Sequence, residues 1–464
     1  MAGLVRRYPA GAHNIAPPNS FPPLARPGTA SRVHARLSKV LTALPSDRTR
    51  RRAPVPRHPE ARQGPMISLR SASERDKVAF LFHLGHGHYT QFLNFQECMP
   101  ENYQPRAAWV ALHGEGSGDP LARIPLLPGS RRYARHQMWH ARRGLAENPG
   151  CSTIFCAAEI TALADLTPSY RCFLYTDLTP SLKRELAPWY DHQLRGSPII
   201  RAIKESRRRR LYRSCHGIFT MSAWAARGFA CDYGVPEEKL HVVLPGANLN
   251  LWKYTDRSVR PTRGPAPVRI LMVGGQFRLK GGELLLRWAE ETRLRNWEMD
   301  IVTWPSELPE WAGAALAHPR AGERVSGDLA PRLPGVRIHC GMQANTPELM
   351  NLYERADIFC LPTQADGSSI ASLEAMASGL PVLVGAAGGI PELIEDGRTG
   401  CLLERGCFED LACKLDRFIM DRDLRITMGR RARASCEDYF NVTRQIREIM
   451  QVIDAYPAAA ALAA

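Results

Sequence analysis

The chain has 464 residues, enough for two domains of ordinary size, and 44% of them are apolar, as is typical of a globular protein. Its net charge of +15 is concentrated at the start, because residues 1–65 hold twelve basic and only two acidic residues. No apolar run approaches the roughly 20 residues that a membrane-spanning helix needs, so the sequence predicts no such helix.

Residues 1–65 contain eleven prolines and show no hydrophobic periodicity, so we predict a disordered Pro/Arg-rich extension. The segment lacks the continuous apolar stretch of a secretory signal. Two explanations are compatible with it: an organelle transit peptide, or an over-extended reading frame whose functional start is Met66. We favour the second, because Met66 leads directly into the first predicted strand and the many prolines disfavour a helical transit peptide.

Apolar runs of strand length alternate with helical stretches in residues 66–255, which we assign to a first domain. Strands are predicted at 78–82, 107–112, 153–157, 172–176, 217–220 and 241–244, and clear helices at 199–215 and 223–232. The turn-rich segment 256–267 follows and is predicted to be a linker.

The same alternation returns in residues 268–441, the predicted second domain. Its strands are predicted at 268–273, 299–302, 336–339, 357–361 and 382–384, and its clearest helices at 281–291 and 346–355. A last helix, 442–455, is expected to cross back to the first domain and to precede a loose tail, so 442–464 forms a separate final segment. Strands that alternate with helices favour parallel, doubly wound sheets, and the predicted fold class is α/β.

The strongest functional signal is the run DGSSIASLEAMASG, which begins at Asp366 and places a Gly/Ser turn before a short helix. Free amides at a helix start, together with the helix dipole, form an anion site, and here they belong to Ser368, Ser369 and Ile370. Glu374, on the first turns of this helix, can accept hydrogen bonds from ligand hydroxyls. Taken singly, Asp366 is also compatible with a helix cap and Glu374 with a solvated helix face.

The longer segment DGSSIASLEAMASGLPVLVGAAGGIPE resembles the Glu-x7-Glu region of the retaining family-4 glycosyltransferases (glycosyl transferases group 1), typically EGFGLxxLEAMAxGxPVVxxxxGGxPE. Asp366 stands at the first glutamate, and Ser368-Ser369 replaces Phe-Gly. The resemblance covers about residues 76–450. It implies the GT-B architecture, in which an acceptor-side domain and a nucleotide-sugar-binding domain, both Rossmann-like, face each other across a cleft. It also implies that Glu374 binds the ribose and Asp366 the sugar hydroxyls.

A glycine-rich turn with two cations, LMVGGQFRLKGG, follows the strand predicted at 268–273 and is suited to a diphosphate. It resembles the family segment VGGDFxRKGG, which places Lys280 at the family lysine and Leu279 at the neighbouring arginine. Gly275, Arg278 and Lys280 are therefore candidate donor-binding residues. The alternative for this turn is a surface loop with solvated cations.

Two features of the first domain complete the candidate site. Gly85 and Gly87 form a glycine-rich loop after the first strand, like the first loop of the family. Asp177 ends a predicted buried strand, where it is either a cleft carboxylate or a cap for the helix that begins near Pro180. The His-x-His pairs around Gly87 have no acidic partner nearby, so we predict no metal site, and the family resemblance implies that no metal cofactor is needed.

The basic run KESRRRRLYR, from Lys204 to Arg213, fits either anionic lipid at a membrane surface or a solvated helix face. No nucleic-acid-binding module is recognised around it, so nucleic acid is not predicted as a partner. The twelve cysteines show no CxxC pair and fit a reduced, cytoplasmic protein, soluble or peripheral at the inner face of the membrane.

The sequence therefore predicts a retaining hexosyltransferase that moves a sugar from a UDP- or GDP-type donor to an acceptor hydroxyl of unknown identity. Asp366 and Asp177 are the candidate catalytic residues. Two alternatives stay open: a sugar-nucleotide epimerase of the same fold, and a basic binding or scaffold protein with a degenerate sugar site.

Overall fold

The computed structural model describes residues 77–84, 87–112, 129–157, 160–186, 198–259, 266–316 and 323–457, all within one compact unit, Leu69–Ala464. The predicted extension at 1–65, Gly85 of the first loop, and the tail after residue 457 lie outside these residues.

Two sheets account for the strands of the described residues. Those of the first sheet are β1 (Lys77–His83), β2 (Ala107–Leu112), β3 (Cys151–Ala157), β4 (Arg171–Thr176), β5 (Gly217–Thr220) and β6 (Leu240–Val242). Those of the second are β7 (Val268–Val273), β8 (Trp297–Thr303), β9 (Val325–Asp328), β10 (Val336–Cys340), β11 (Ile358–Leu361), β12 (Val382–Gly385) and β13 (Gly400–Leu403).

Helices connect most of these strands. In the first half they are α1 (Gly87–Cys98), α2 (Gly129–Glu147), α3 (Pro180–Glu185), α4 (Pro198–Ser214) and α5 (Ala223–Tyr233). In the second half and at the end of the chain they are α6 (Gly282–Glu291), α7 (Glu310–Ala315), α8 (Pro347–Arg355), α9 (Ile370–Ala377), α10 (Phe408–Met420), α11 (Arg422–Asp438) and α12 (Val442–Ala455). None of the helices in the described part of the chain is long and apolar enough to cross a membrane.

The first sheet has the strand order β2-β1-β3-β4-β5-β6, and every pair in it is parallel. Its central strands are apolar on both faces, because helices cover the sheet on each side. The residues from Val78 to Phe82 in β1, for example, are completely buried. The apolar runs in the sequence correctly predicted all six strands.

The second sheet has the order β13-β12-β11-β7-β8-β10-β9 and is parallel except at one edge, where β9 runs antiparallel to β10. The sequence predicted five of its strands but neither β9 nor β13. The strand β9 reads Val-Ser-Gly-Asp and has no apolar run. It lies at the edge of the sheet and pairs with one neighbouring strand, where polar residues are common. The four residues of β13 begin with a glycine and are too short to stand out.

The chain crosses between the two halves at two adjacent places. The Ala247 amide donates to the Phe440 carbonyl (2.8 Å), and the Val442 amide donates to the Ala247 carbonyl (3.1 Å). After the second crossing, α12 packs its apolar face on the aromatic layer of the first sheet. After the first, Trp252 already lies in the core of the second half. The predicted domain limits, with a linker at 256–267, remain predictions.

Candidate active site

The loop after β7 is compact and directs one cation toward β11. The stem of Lys280 runs over Gly274, where an added Cβ would lie 2.8 Å from the Lys280 Cγ. The ring of Trp304 covers Gly275 in the same way, and the Trp304 amide donates to the Gly275 carbonyl (3.0 Å). The Gln364 amide donates to the Leu279 carbonyl (2.8 Å), which links this loop to the segment after β11. The two loops therefore hold each other at the carboxyl edge of the sheet, where open α/β sheets bind ligands.

Lys280 and Asp366 form an ion pair at this edge, between Nζ and Oδ2. Asp366 is 8% exposed and Lys280 is half-buried, so little water screens the pair. The N-cap of α9 is Ser369, whose Oγ accepts from the Ser372 amide (3.3 Å). Asp366 therefore serves as the counter-ion of Lys280, while the capping role that the sequence left open belongs to Ser369.

Asp177 reaches the same place from the first half of the molecule. Its carboxylate lies against the backbone of Gly367, so closely that a Cβ at that position would overlap Oδ2. Only glycine permits this approach. Burial is the larger cause and the negative charge of Asp366 the second, and together they raise the pKa of Asp177 to about 6. The cap of α3 is Thr179, whose Oγ1 accepts from the Leu182 amide (3.2 Å), so Asp177 is not used as a cap.

The structure thus brings together one ammonium and two carboxylates from three separate segments: Lys280, Asp366 and Asp177. An ammonium binds phosphate oxygens, and carboxylates accept hydrogen bonds from hydroxyls. Because the two carboxylates come from opposite halves of the molecule, a ligand between them contacts both halves. This cluster, which we call the reaction cluster, can therefore bind an anionic group and a hydroxyl side by side.

The start of α9 adds polar groups to this edge. Helix geometry leaves the first amides of α9, which begins at Ile370, without intrahelical partners. That the amides of Ser368, Ser369 and Ile370 bind an anion stays a prediction. The Ser368 Oγ is buried and has no hydrogen-bond partner among the described residues. A ligand oxygen at this helix start would satisfy such groups.

The Glu374 carboxyl group has a hydrogen-bond partner, Tyr353, that is not part of the reaction cluster. The Tyr353 hydroxyl, from α8, donates to the Glu374 Oε2 (3.0 Å). Both side chains are buried, and burial raises the pKa of Glu374 to about 8, while the Tyr353 hydrogen bond opposes this shift. In the nucleotide-free protein at neutral pH, Glu374 is therefore mostly protonated. Its role toward a ribose stays a prediction.

Replacing Glu374 by Gln is expected to remove a pH dependence from the stability of the nucleotide-free protein. Between its ordinary pKa of 4.5 and the folded value of about 8, the folded state keeps a proton that the unfolded state has lost. The free energy of unfolding of the wild type therefore falls as pH rises through this window, by up to about 1.4 kcal/mol per pH unit. Urea midpoints measured across the window for both proteins give the difference.

The matched control for this prediction is Glu395→Gln, because the Glu395 side chain is solvent-exposed and pairs only with Arg398 in its own turn. This variant should follow the wild-type curve. If the urea midpoints of the wild type and of Glu374→Gln changed with pH in the same way, the fold would not be keeping Glu374 protonated.

Two other predicted residues, Arg278 and Gly87, do not join the reaction cluster. The side chain of Arg278 is 74% exposed, and its Nε donates to the Glu283 Oε1 (3.0 Å). Gly87 begins α1, and Gly85 lies outside the described residues. Leu279, at the arginine position of the family pattern, packs in a small apolar cluster of Leu279, Leu186, Ala365 and Trp224. A buried arginine there would have to be desolvated, which gives the departure from the pattern a physical reason.

The sequence analysis missed Glu392. This residue lies in the second half, and its two carboxylate oxygens accept from the amides of Ala223 (2.7 Å) and Trp224 (2.8 Å) at the start of α5. It is the last residue of the GGIPE run, which ends the segment that resembles the family. No sequence pattern identifies its partners, because they are about 170 residues earlier in the chain.

Residues 333–435, which include Asp366, Glu374 and Glu392, match the family described as Glycosyl transferases group 1. This segment belongs to that family. The resemblance predicted from the sequence is thereby confirmed. The D-inositol 3-phosphate glycosyltransferase of Corynebacterium kroppenstedtii is 32% identical to this chain over 207 residues. These residues are 43% of this chain and 45% of that protein. The chain spans about half the length of the curated relatives that it matches.

Comparison with solved structures shows a similarity of fold that covers both halves of the molecule and not only residues 333–435. Sucrose-phosphate synthase of Thermosynechococcus elongatus superposes with a TM-score of 0.61 at 14% identity, over 82% of this chain and 98% of that one. HepE of Anabaena gives a TM-score of 0.58 at 16% identity, over 82% of this chain and 100% of its own. At this identity the likeness shows the fold, and the predicted GT-B architecture of two Rossmann-like domains is confirmed.

Proposed function

We propose that the protein is a retaining glycosyltransferase that moves a hexosyl group from a nucleotide-diphosphate sugar to an acceptor hydroxyl. The observation that carries this proposal is the reaction cluster, in which Lys280 and Asp366 of the second half meet Asp177 of the first half. The curated relative named above is a glycosyltransferase, which favours transfer over the epimerase and scaffold alternatives.

The donor is proposed to lie along the carboxyl edge of the second sheet. Lys280 and the first amides of α9 hold the diphosphate, and Glu374 binds the ribose. Gly275, whose open side is covered by the Trp304 ring, contributes to donor binding by shaping the loop. Asp366, released from Lys280 when phosphate takes the ammonium, accepts hydrogen bonds from the sugar hydroxyls. Arg278 pairs with Glu283 at the surface, and it would have to break this ion pair to contact a phosphate.

The chemistry asks mainly for positioning and charge stabilisation. The acceptor oxygen forms a bond to the anomeric carbon on the face from which the diphosphate leaves, and the departing phosphate oxygen takes the acceptor proton. Bond making and breaking on one face retain the anomeric configuration. Asp177 orients the acceptor hydroxyl by accepting its hydrogen bond at the start of the reaction. Lys280 and the helix amides offset the charge of the leaving diphosphate, so the proposed mechanism uses no metal ion.

UDP is the first nucleotide to test and GDP the second. HepE of Anabaena, one of the proteins with the same fold, has been solved in complex with UDP and with UDP-glucose. This supports a UDP-type donor for the present chain, and the acceptor stays open.

The test is a panel of UDP and GDP sugars, each incubated with and without candidate acceptors, followed by mass analysis of the products. We expect hydrolysis or transfer of at least one donor, an unchanged rate in EDTA, and retained configuration in the product by NMR. A protein whose melting temperature does not respond to UDP or GDP, and which converts no donor, would contradict the proposal.

A second proposal concerns the acceptor side: α4 contacts an anionic membrane surface, at the cytoplasmic face of the membrane. Its outward face begins with Ile199 and Ile203, which are 72% and 47% exposed, and continues with Arg207, Arg210 and Arg213, which are also exposed. Exposed isoleucines one turn apart, followed by arginines, fit the acyl boundary and the headgroups of a bilayer. The three arginines lie within the predicted basic run, and the two isoleucines extend this face toward the start of α4.

Arg207→Glu is expected to weaken binding to phosphatidylglycerol vesicles about fivefold or more, because each basic residue near such a surface contributes about 1 kcal/mol. The matched control is Arg405→Glu, an exposed arginine of the second half. Co-sedimentation at low and at raised salt measures the effect. If the wild type bound neutral phosphatidylcholine vesicles equally well, or if both variants lost the same amount of binding, the proposal that this face of α4 contacts an anionic membrane would be wrong.

A further inference from the structure

Glu392 joins the two halves of the molecule by capping a helix of the other half. It ends a short 3₁₀ turn, Ile390–Glu392, that follows β12. Its carboxylate accepts from the amides of Ala223 (2.7 Å) and Trp224 (2.8 Å), and the Ser222 Oγ accepts from the Ala225 amide (3.1 Å). The first three amides of α5 are thus satisfied, two of them from the opposite half. A carboxylate at this end also interacts favourably with the helix dipole.

The segment that carries Glu392 also touches the reaction cluster. The Gly389 amide donates to the Gly367 carbonyl (3.0 Å), and a Cβ at Gly389 would lie 2.7 Å from the Ser222 Oγ. Gly388 has a positive φ of 53° and packs on the Asp366 carbonyl. One glycine pair is therefore wedged between the Asp366–Gly367 turn and the start of α5, where any side chain would force the two apart.

The start of α5 is in turn connected to Asp177. The Met221 amide, just before the Ser222 cap, donates to the Thr176 carbonyl (3.2 Å), and Thr176 is the residue before Asp177. Asp177 then lies against Gly367, which closes a ring of contacts. Trp224, in the first turn of α5, also packs against the apolar cluster of Leu279, Leu186 and Ala365.

We propose that Glu392 is a positioning residue of the transfer reaction: its hold on α5 sets the distance between Asp177 and the Asp366–Gly367 turn. The inference rests on the proposed function, because that distance matters only if donor and acceptor react between the two halves. Among the described residues, Glu392 has no hydrogen bond or ion pair with Lys280, Asp366 or Glu374, and its carboxylate contacts the α5 amides instead. It therefore acts through the backbone of Gly389 and through α5. Loss of its charge therefore loosens the two halves while the donor-binding residues of the second half keep their places.

The experiment compares Glu392→Gln with wild type and with Glu395→Gln. Glutamine keeps the size of the side chain but offers one acceptor oxygen and no charge, so one of the two α5 amides loses its partner. Glu395 is three residues later, solvent-exposed and paired with Arg398 in its own turn. Four quantities are measured: kcat/KM for transfer, Kd for UDP, hydrogen exchange of the Ala223 and Trp224 amides, and the radius of gyration from X-ray scattering.

We expect Glu392→Gln to lower kcat/KM about tenfold or more, the loss that follows from removing one charge-assisted hydrogen bond. The Kd for UDP should stay within about twofold of wild type, exchange at the two amides should rise, and the radius of gyration should increase. Glu395→Gln should match wild type in all four quantities.

Faster exchange at Ala223 with unchanged transfer would overturn the inference, since the contact would then only stabilise α5. Equal losses in transfer and in UDP affinity would also overturn it, because Glu392 would then support the donor site itself. If the wild type converts no donor, the proposed function fails separately. The positioning of the two halves is then judged by scattering, and an unchanged radius of gyration in Glu392→Gln overturns it.

Discussion

Lys280→Ala is expected to lower kcat/KM for the donor sugar by about 10- to 150-fold, the range that corresponds to about 1.5–3 kcal/mol for a charge-assisted hydrogen bond. The structure gives this lysine two functions. It is the counter-ion of the buried Asp366, and its ammonium is proposed to bind the phosphate at the start of α9. Removing it leaves the Asp366 carboxylate without its ion-pair partner and beside Asp177, which further disfavours an anionic donor.

The matched control is Arg278→Ala, two residues earlier in the same loop. Because Arg278 is mostly exposed and pairs with Glu283 at the surface, its loss should change kcat/KM less than threefold, as for most exposed ion pairs of about 0–1 kcal/mol. Binding of UDP and of uridine, measured for both variants, separates phosphate binding from folding. Equal losses of UDP and uridine binding in Lys280→Ala would assign Lys280 to the fold alone.

Asp366→Asn is expected to lower kcat for the sugar donor by about 100-fold while leaving the Kd for UDP nearly unchanged. Asparagine fills the same space but removes the charge that would hold sugar hydroxyls, an effect of about 1.5–3 kcal/mol for a hydrogen bond to a charged group. UDP lacks the hexosyl group that Asp366 is proposed to contact, so its affinity should not change. The comparison of kcat with UDP affinity therefore separates contact with the sugar from contact with the nucleotide.

The same variant has a second expected effect, on Asp177. The negative charge of Asp366 contributes to the raised pKa of Asp177, which is about 6. Without that charge the pKa of Asp177 falls, so Asp177 stays ionised to lower pH, and the acidic limb of the kcat/KM profile should move to lower pH. A variant with wild-type kcat and an unmoved acidic limb, and only a lower melting temperature, would reduce Asp366 to the structural partner of Lys280.

Strands with an apolar run on both faces were predictable from the sequence, because burial between two helix layers requires such runs. Two strands were missed: β9, which has no apolar run, and β13, which has four residues and begins with a glycine. Within the candidate site, the motifs predicted Asp366, Lys280 and the start of α9, since each lies beside a glycine-rich turn at a strand end. The contact of Asp177 with Gly367 was beyond prediction, because it depends on how two separately folded halves meet.

The partner of Glu374 shows the same limit. Its position on a short helix is readable from the sequence, but Tyr353, which donates to it, comes from α8 and is placed by the packing of α8 on the second sheet. The raised pKa of Glu374 follows from that packing and not from any local pattern. Properties that depend on burial, such as the protonation state of a carboxyl group, become predictable only when the tertiary contacts are known.

The two chain crossings near Ala247 and Phe440 restrict how the halves can move. Because the crossings lie side by side and share two backbone hydrogen bonds, sliding one half along the other would break both bonds at once. Rotation about an axis through this paired segment leaves them intact, and small changes in φ and ψ at a few residues are enough to produce it. Displacement then grows in proportion to the distance from the axis. A bulky acceptor is therefore expected to enter at the side of the cleft farthest from Ala247, where a given angle of rotation opens the widest gap.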